Sequence, residues 1–210
     1  MNLALRPSLD LEWLRARQQA GAAQEVIEAI RETCEPEALE DEALRALAAC
    51  ALVQAGEPDR ARTLLDPLNP QEIDTPTVLS DLGLTYFLLG EVERARELLD
   101  RACAGSADGV SWSRLGAVRL QQGDLDGAAA AYDAAIAAEP ERPHWRHNLG
   151  TVYAFQQRFE DAVAQYDAAL ALEPDLLASQ ERRSLLLVNM ARTDELVAEL
   201  EAKADADPTD

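Results

Sequence analysis

Between residues 109 and 140 the apolar positions follow a helical step. Trp112, Leu115, Gly116 and Leu120 recur three and four residues apart, as one face of a helix requires. Gln122-Gly123-Asp124 breaks the pattern, and Gly123 suits a left-handed C-cap. The step resumes with Leu125, Ala128, Ala129, Tyr132, Ala135 and Ile136. Glu139-Pro140 ends it, because proline cannot continue the hydrogen-bond ladder and disfavours helix in the residue before it. The pattern predicts a helix, a turn and a second helix.

The same spacing recurs on both sides. Leu82-Gly83, Tyr86, Gly90, Ala95, Leu99 and Ala102 form one copy, and Leu149-Gly150, Tyr153, Ala162, Tyr166, Ala169 and Pro174 form another. A fixed period of this length marks a stack of like supersecondary units, in which each unit buries its apolar face against its neighbours. Extending the period divides the chain into units at about 8–41, 42–75, 76–108, 109–142, 143–176 and 177–210. The expected fold is all-α, a single solenoid over 1–210, with the first, second and last units degenerate. Pro58, Pro76 and Pro143 stand where a first helical turn tolerates proline. Pro67 should shorten the second helix of its unit and leave an irregular segment from Asp66 to Asp74. Glu195, Glu199, Glu201, Lys203 and Asp205 would give a final helix its polar outer face, and residues 207–210 are expected to fray.

These three copies resemble the tetratricopeptide repeat. That family places a large residue at position 4, Leu at 7, a small residue at 8 and an aromatic or large residue at 11. Ala at 20, an aromatic or large residue at 24, Ala at 27 and Pro at 32 follow. The departures are Arg119 for the aromatic at 11, Arg146 for the large residue at 4, and a third unit one residue short. The resemblance implies a right-handed α-solenoid. Gly83, Gly116 and Gly150 would let the second helix of each unit approach the first, with Ala95, Ala128 and Ala162 as the small residues facing them.

The resemblance also implies that first helices line a concave groove through positions 2, 5, 6, 9, 12 and 13. In the N-terminal half those positions are small or apolar: Ala43, Ala46, Cys50 and Val53, then Thr77, Ser80, Asp81, Leu84 and Phe87. In the C-terminal half they hold Ser113, Arg114, Ala117, Gln121, His144, His147, Asn148, Thr151, Phe155, Glu181, Arg182, Leu185 and Asn189. Arg114, His144, His147, Asn148, Thr151, Phe155, Arg182, Leu185 and Asn189 are the nine candidate partner-binding residues. A related scheme that clamps chaperone tails by their C-terminal carboxylate is not met. Asn148 and Arg182 match it, but Ser113, Ala117 and Ala178 stand at its other three places.

Charge sharpens this expectation. Asp and Glu number 39 against 19 Lys and Arg, a net charge of −20 spread evenly over the chain, which disfavours nucleic acid and anionic membrane as partners. Bases gathered in the groove of so acidic a protein would favour an acidic or carboxylate-bearing peptide. No run approaches the ~20 uncharged apolar residues of a membrane span, and the N-terminus lacks a secretory pattern, so a cytoplasmic protein is expected. Cys34, Cys50 and Cys103 form no CxxC pair and are read as small buried thiols.

Nothing in the chain spells out chemistry. There is no Gly-rich phosphate loop, GxSxG elbow or HExxH. His144 and His147 share a helix face but lack the further ligands a zinc site needs. Acid pairs such as Glu160-Asp161 open second helices, where carboxylates complement the helix dipole. The expectation is a non-enzymatic adaptor, without catalytic residues, metal or cofactor, that holds a protein or peptide in its groove. The alternative is a self-assembling solenoid, a homodimer included, pairing through Leu9, Trp13 and Leu14 or through Leu185, Leu186 and Leu187. A metalloprotein or enzyme is the remote third reading.

Overall fold

A computed structural model describes residues 10–33, 39, 41–105, 108–190, 197 and 202–203. The described residues form helices joined by turns and contain no strand. In chain order the helices are α1 (Leu11–Gln19), α2 (Ala23–Thr33), α3 (Glu42–Gln54), α4 (Pro58–Leu65), α5 (Pro76–Leu88) and α6 (Val92–Gly105). They continue with α7 (Gly109–Gln121), α8 (Leu125–Ala138), α9 (Pro143–Phe155), α10 (Phe159–Leu172) and α11 (Leu177–Asn189). This is the all-α, helix-turn-helix solenoid architecture that the period predicts. The expected polar face of a twelfth helix (Glu195, Glu199, Glu201, Asp205), together with Leu9 and Cys34, lies outside the described residues.

One turn is used five times. After α7, the Gly123 amide donates to the Leu120 carbonyl and the Asp124 amide to the Arg119 carbonyl, the paired bonds of a Schellman cap. The same two bonds follow α1, α3, α5 and α9. The pivot residue has positive φ each time: Gly21, Gly56, Gly90 and Gly123, then Gln157 at φ 61°. A side chain at this φ is strained where glycine is not. Gln157 is therefore the one site in the series where chain reversal is imposed by the surrounding helices.

Pro76 and Pro143 start α5 and α9 at the first turn, as expected. The shortened helix before the irregular segment is also found, since α4 ends at Leu65. The backbone that follows is held from outside. Arg101 on α6 donates to the carbonyls of Pro70 and Ile73, both at 2.7 Å, over a buried Ile73.

The chain divides within α7 into two compact units, residues 1–118 and 119–210. In the first, α3 is enclosed all round: every residue from Ala46 to Leu52 is buried. Helix α5 packs on α3 and on α6, where Leu82, Tyr86, Ala95, Leu98 and Leu99 are buried. A Cβ built on Gly83 would stand 2.6 Å from Leu99 Cγ, so the close approach falls on Leu99 and not on Ala95.

The second unit repeats one packing motif. Ala128, Ala129 and Tyr132 of α8 pack on Leu149 and Val152 of α9, with Leu120 and Ile136 alongside. One period later, Ala162, Val163 and Tyr166 of α10 pack on Leu186 and Leu187 of α11. Each second helix is thus buried against the first helix of the next repeat, the arrangement that makes solenoid stability a sum over neighbours. Arg119, which stands where the pattern has an aromatic, reaches back to the Gly127 carbonyl at 3.3 Å.

Candidate functional site: the α9 and α11 faces

The second unit holds eight of the nine candidate residues, on α9 and α11. His144 lies exposed on the first turn of α9, while His147, Asn148 and Thr151 are half-buried along the same helix. Phe155 closes α9 and is 63% exposed; Leu185 on α11 is 54% exposed. Arg182 and Asn189 are exposed on α11. Thr151, Ala154, Phe155, Arg182, Leu185 and Leu186 line, with Tyr166, a pocket of about 150 Å³. Its floor is apolar and aromatic, and Arg182 is its only formal charge.

Helix spacing explains how these side chains meet. Thr151 and Phe155 are one turn apart on α9, as are Arg182 and Leu186 on α11, so two adjacent first helices offer parallel rows. The floor is fixed by hydrogen bonds. Thr151 Oγ1 donates to the His147 carbonyl and lies 3.1 Å from the Tyr166 hydroxyl. His147 Nδ1 lies 2.9 Å from Ser179 Oγ, and its ring tilts against Tyr166 with centroids 5.4 Å apart. Burial lowers the His147 pKa below its ordinary value, with Arg182 and His144 adding in the same direction. The imidazole is therefore neutral near pH 7 and links α9 to α11. Burial raises the Tyr166 pKa, so its hydroxyl keeps its proton.

Arg114, the ninth candidate, belongs to the first unit and is engaged within it. Its guanidinium Nη1 donates to Ser80 Oγ at 2.8 Å and to Asp81 Oδ1 at 2.9 Å, and its side chain is 12% exposed. Asp81 is 5% exposed and takes a second cation, Arg15 of α1, at 3.1 Å on its other oxygen. From sequence Asp81 is a groove position with no assigned partner. The contact with Arg15, 66 residues away, carries no local signal. Ser179 and the Tyr166 hydroxyl were missed as well, because the repeat pattern accounts for Tyr166 as packing alone.

A family profile described as tetratricopeptide repeat matches residues 46–110 and 114–176, more than half of the chain. The chain belongs to the tetratricopeptide repeat family. The family is in general a non-enzymatic, protein-interaction fold. No curated protein matches the chain. Among solved structures it is similar to a thermophilic TPR protein in Thermus thermophilus, with TM-score 0.68 and 21% identity over 85% of this chain and 97% of that one. MamA matches with TM-score 0.64 and 20% identity over 73% and 95% of the two chains. The first TPR of Spaghetti (RPAP3), bound to the HSP90 peptide SRMEEVD, matches with TM-score 0.54 and 18% identity over 59% and 97%. At these identities the likeness is one of fold.

Among the described residues no group of three or more His, Cys, Asp or Glu converges as metal ligands would. No described helix is long and apolar enough to cross a membrane. Cys50 and Cys103 are buried thiols, as read from sequence, and burial pushes the Cys50 pKa up to about 12.

Proposed function

We propose that this protein is a non-enzymatic scaffold that holds a peptide or helix of a partner protein against α9 and α11. The observation that supports it most is the presentation of Phe155 and Leu185 to solvent around a pocket with Arg182 as its one charge. Large apolar groups beside a single cation suit a ligand with one apolar side chain and a nearby carboxylate. The pocket, at about 150 Å³, is large enough for one Leu- or Phe-sized group. His144, Asn148 and Asn189 would extend polar contacts along the ligand. The acidic peptide carried by the RPAP3 repeat is of the chemical class proposed here, though this chain lacks the full set of carboxylate-clamp residues.

Affinity capture from a native lysate tests the proposal, with the wild-type chain compared against Arg182→Glu and Phe155→Ala. Both residues are exposed, so the variants should melt as the wild type does. A central aromatic contact is worth more than about 1 kcal/mol, so retained partner should fall several-fold or more. Undiminished capture by both variants would sink the assignment.

Self-assembly is the second reading, favoured by the exposure of Leu177, Leu185 and Val188 on α11. Leu14, Leu186 and Leu187, offered from sequence for that role, are core residues. Trp13 and Leu185 remain on the surface. Light scattering at two protein concentrations separates the readings, since a stable dimer with Leu185 in its interface favours the second.

A further inference from the structure

The first unit contains a face that is already occupied. On α3 and α5 the positions expected to line a groove include Ala46, Cys50, Ser80 and Asp81, and all four are buried. Their cover includes α1. Gln18 of α1 donates to Gln54 of α3 at 3.3 Å, one helical turn beyond Cys50 on the same side. Arg15, one turn earlier on α1, reaches Asp81 of α5, which also holds Arg114 of α7. Leu14 and Gln18 are the buried residues of α1. This cover accounts for the enclosure of α3 on every side.

The seat fits α1 imperfectly. Three buried side-chain atoms among the described residues lack a hydrogen-bond partner, and two of them, Arg15 Nη2 and Gln18 Oε1, lie on the inward side of α1. A gap of about 40 Å³ persists between α1, α5 and α7, lined by Arg15, Gln19, Thr77, Ser80, Ser111 and Arg114 among others. Asp10 caps α1 by accepting from the amides of Glu12 and Trp13, and the helix joins α2 through the glycine turn at Gly21. A capped helix with orphaned polar atoms on its docked side gains less from its seat than a well-fitted core helix does.

We propose that the face of α3, α5 and the first part of α7 is a helix-docking surface, that α1 is its built-in occupant, and that α1 exchanges with a partner helix carrying a cation at the place of Arg15. The carboxylate of Asp81 sets the chemistry of that partner. With α1 withdrawn, Asp81 keeps Arg114 on one oxygen and offers the other to an Arg or Lys one turn from an uncharged polar residue. A partner with an acid at that position would meet Asp81 directly and be rejected.

Cys50 reports the exchange, because it is buried one turn before Gln54, the α3 residue that Gln18 of α1 bonds, and lies near Asp81 and Arg114, while Cys103 lies on α6. The full-length protein is labelled with N-ethylmaleimide under native conditions, and each cysteine is followed by peptide mass spectrometry. In Arg15→Glu, whose new acid faces Asp81, Cys50 should react about tenfold faster with the rate at Cys103 unchanged. Arg15→Ala should give a smaller acceleration with the same selectivity. A peptide of residues 10–20 added to Arg15→Glu should slow Cys50 labelling again, and the same peptide carrying Arg15→Glu should not. If Cys50 and Cys103 accelerate together, if neither variant changes Cys50, or if the wild-type peptide gives no protection, α1 is an integral core helix and the proposal fails. This face lies in the first unit, so loss of binding at Arg182 and Phe155 would leave it untouched.

Discussion

Gly150 on α9 lies directly against Tyr166 on α10, with no space left for a side chain. A Cβ added to Gly150 would stand 2.9 Å from Tyr166 Cε1 and 3.1 Å from the Ala162 carbonyl oxygen. Neither Tyr166, buried and packed against His147, nor the α10 backbone has room to retreat. Gly150→Leu and Ala162→Leu should therefore each lower the melting temperature, with an overpacking cost of about 1–3 kcal/mol or more. Circular dichroism melts check this; an unchanged melt would mean that α9 and α10 do not pair through these positions.

Gln157 holds the left-handed pivot that four glycines hold elsewhere. Removing the strain of a side chain at φ 61° should outweigh the added freedom of the unfolded chain. Gln157→Gly is expected to stabilise by about 0.5–1 kcal/mol, read as a higher urea midpoint at unchanged slope.

Arg101 is the outside clamp on the irregular segment after α4. Arg101→Ala removes both bonds to the Pro70 and Ile73 carbonyls, and water must replace them beside a buried Ile73. A loss of about 1–3 kcal/mol is expected in chemical denaturation. Arg101→Lys should recover only part of it, because a single ammonium cannot reproduce the forked donor pair.

Asp81 neutralises Arg114 and Arg15 together. Asp81→Ala leaves the nearly buried Arg114 uncompensated, so the expected loss of stability is about 3 kcal/mol, at the lower end for breaking a buried pair because Arg15 is part exposed. Asp81→Ala paired with Arg114→Leu should recover much of the loss, since the stranded charge is then gone. A double-mutant cycle by urea denaturation measures both.

His147 makes stability depend on pH in a definite direction. Burial, with Arg182 and His144 behind it, keeps its folded pKa below the ordinary value of 6.5. As pH falls through about 6.5 the unfolded chain takes up the proton first, so stability declines from there down to the lower folded value. Above that window the group contributes no pH dependence. His147→Gln, which keeps a partner for Ser179, should flatten this part of the curve when melts are compared from about pH 7.5 to pH 5.5.

Much of this protein was readable from its sequence because a repeat records local physics many times over. The helices, their turns, the arrest of α4 near Pro67 and the family follow from spacing, proline stereochemistry and glycine at left-handed caps, all set within a few residues. The candidate surface was partly readable on the same basis. Phe155, Arg182 and Leu185 occupy positions the packing pattern leaves unexplained, and all three line the pocket on α9 and α11. The tertiary structure alone decided which side chains were already engaged. Arg114 looked like another unassigned base until Asp81, one repeat earlier, and Arg15, on a distant helix, were placed around it. Gly83 was paired with Ala95 by register, yet the closest atom belongs to Leu99. Helical period determines which face a residue takes; only the packing of distant helices determines what that face meets.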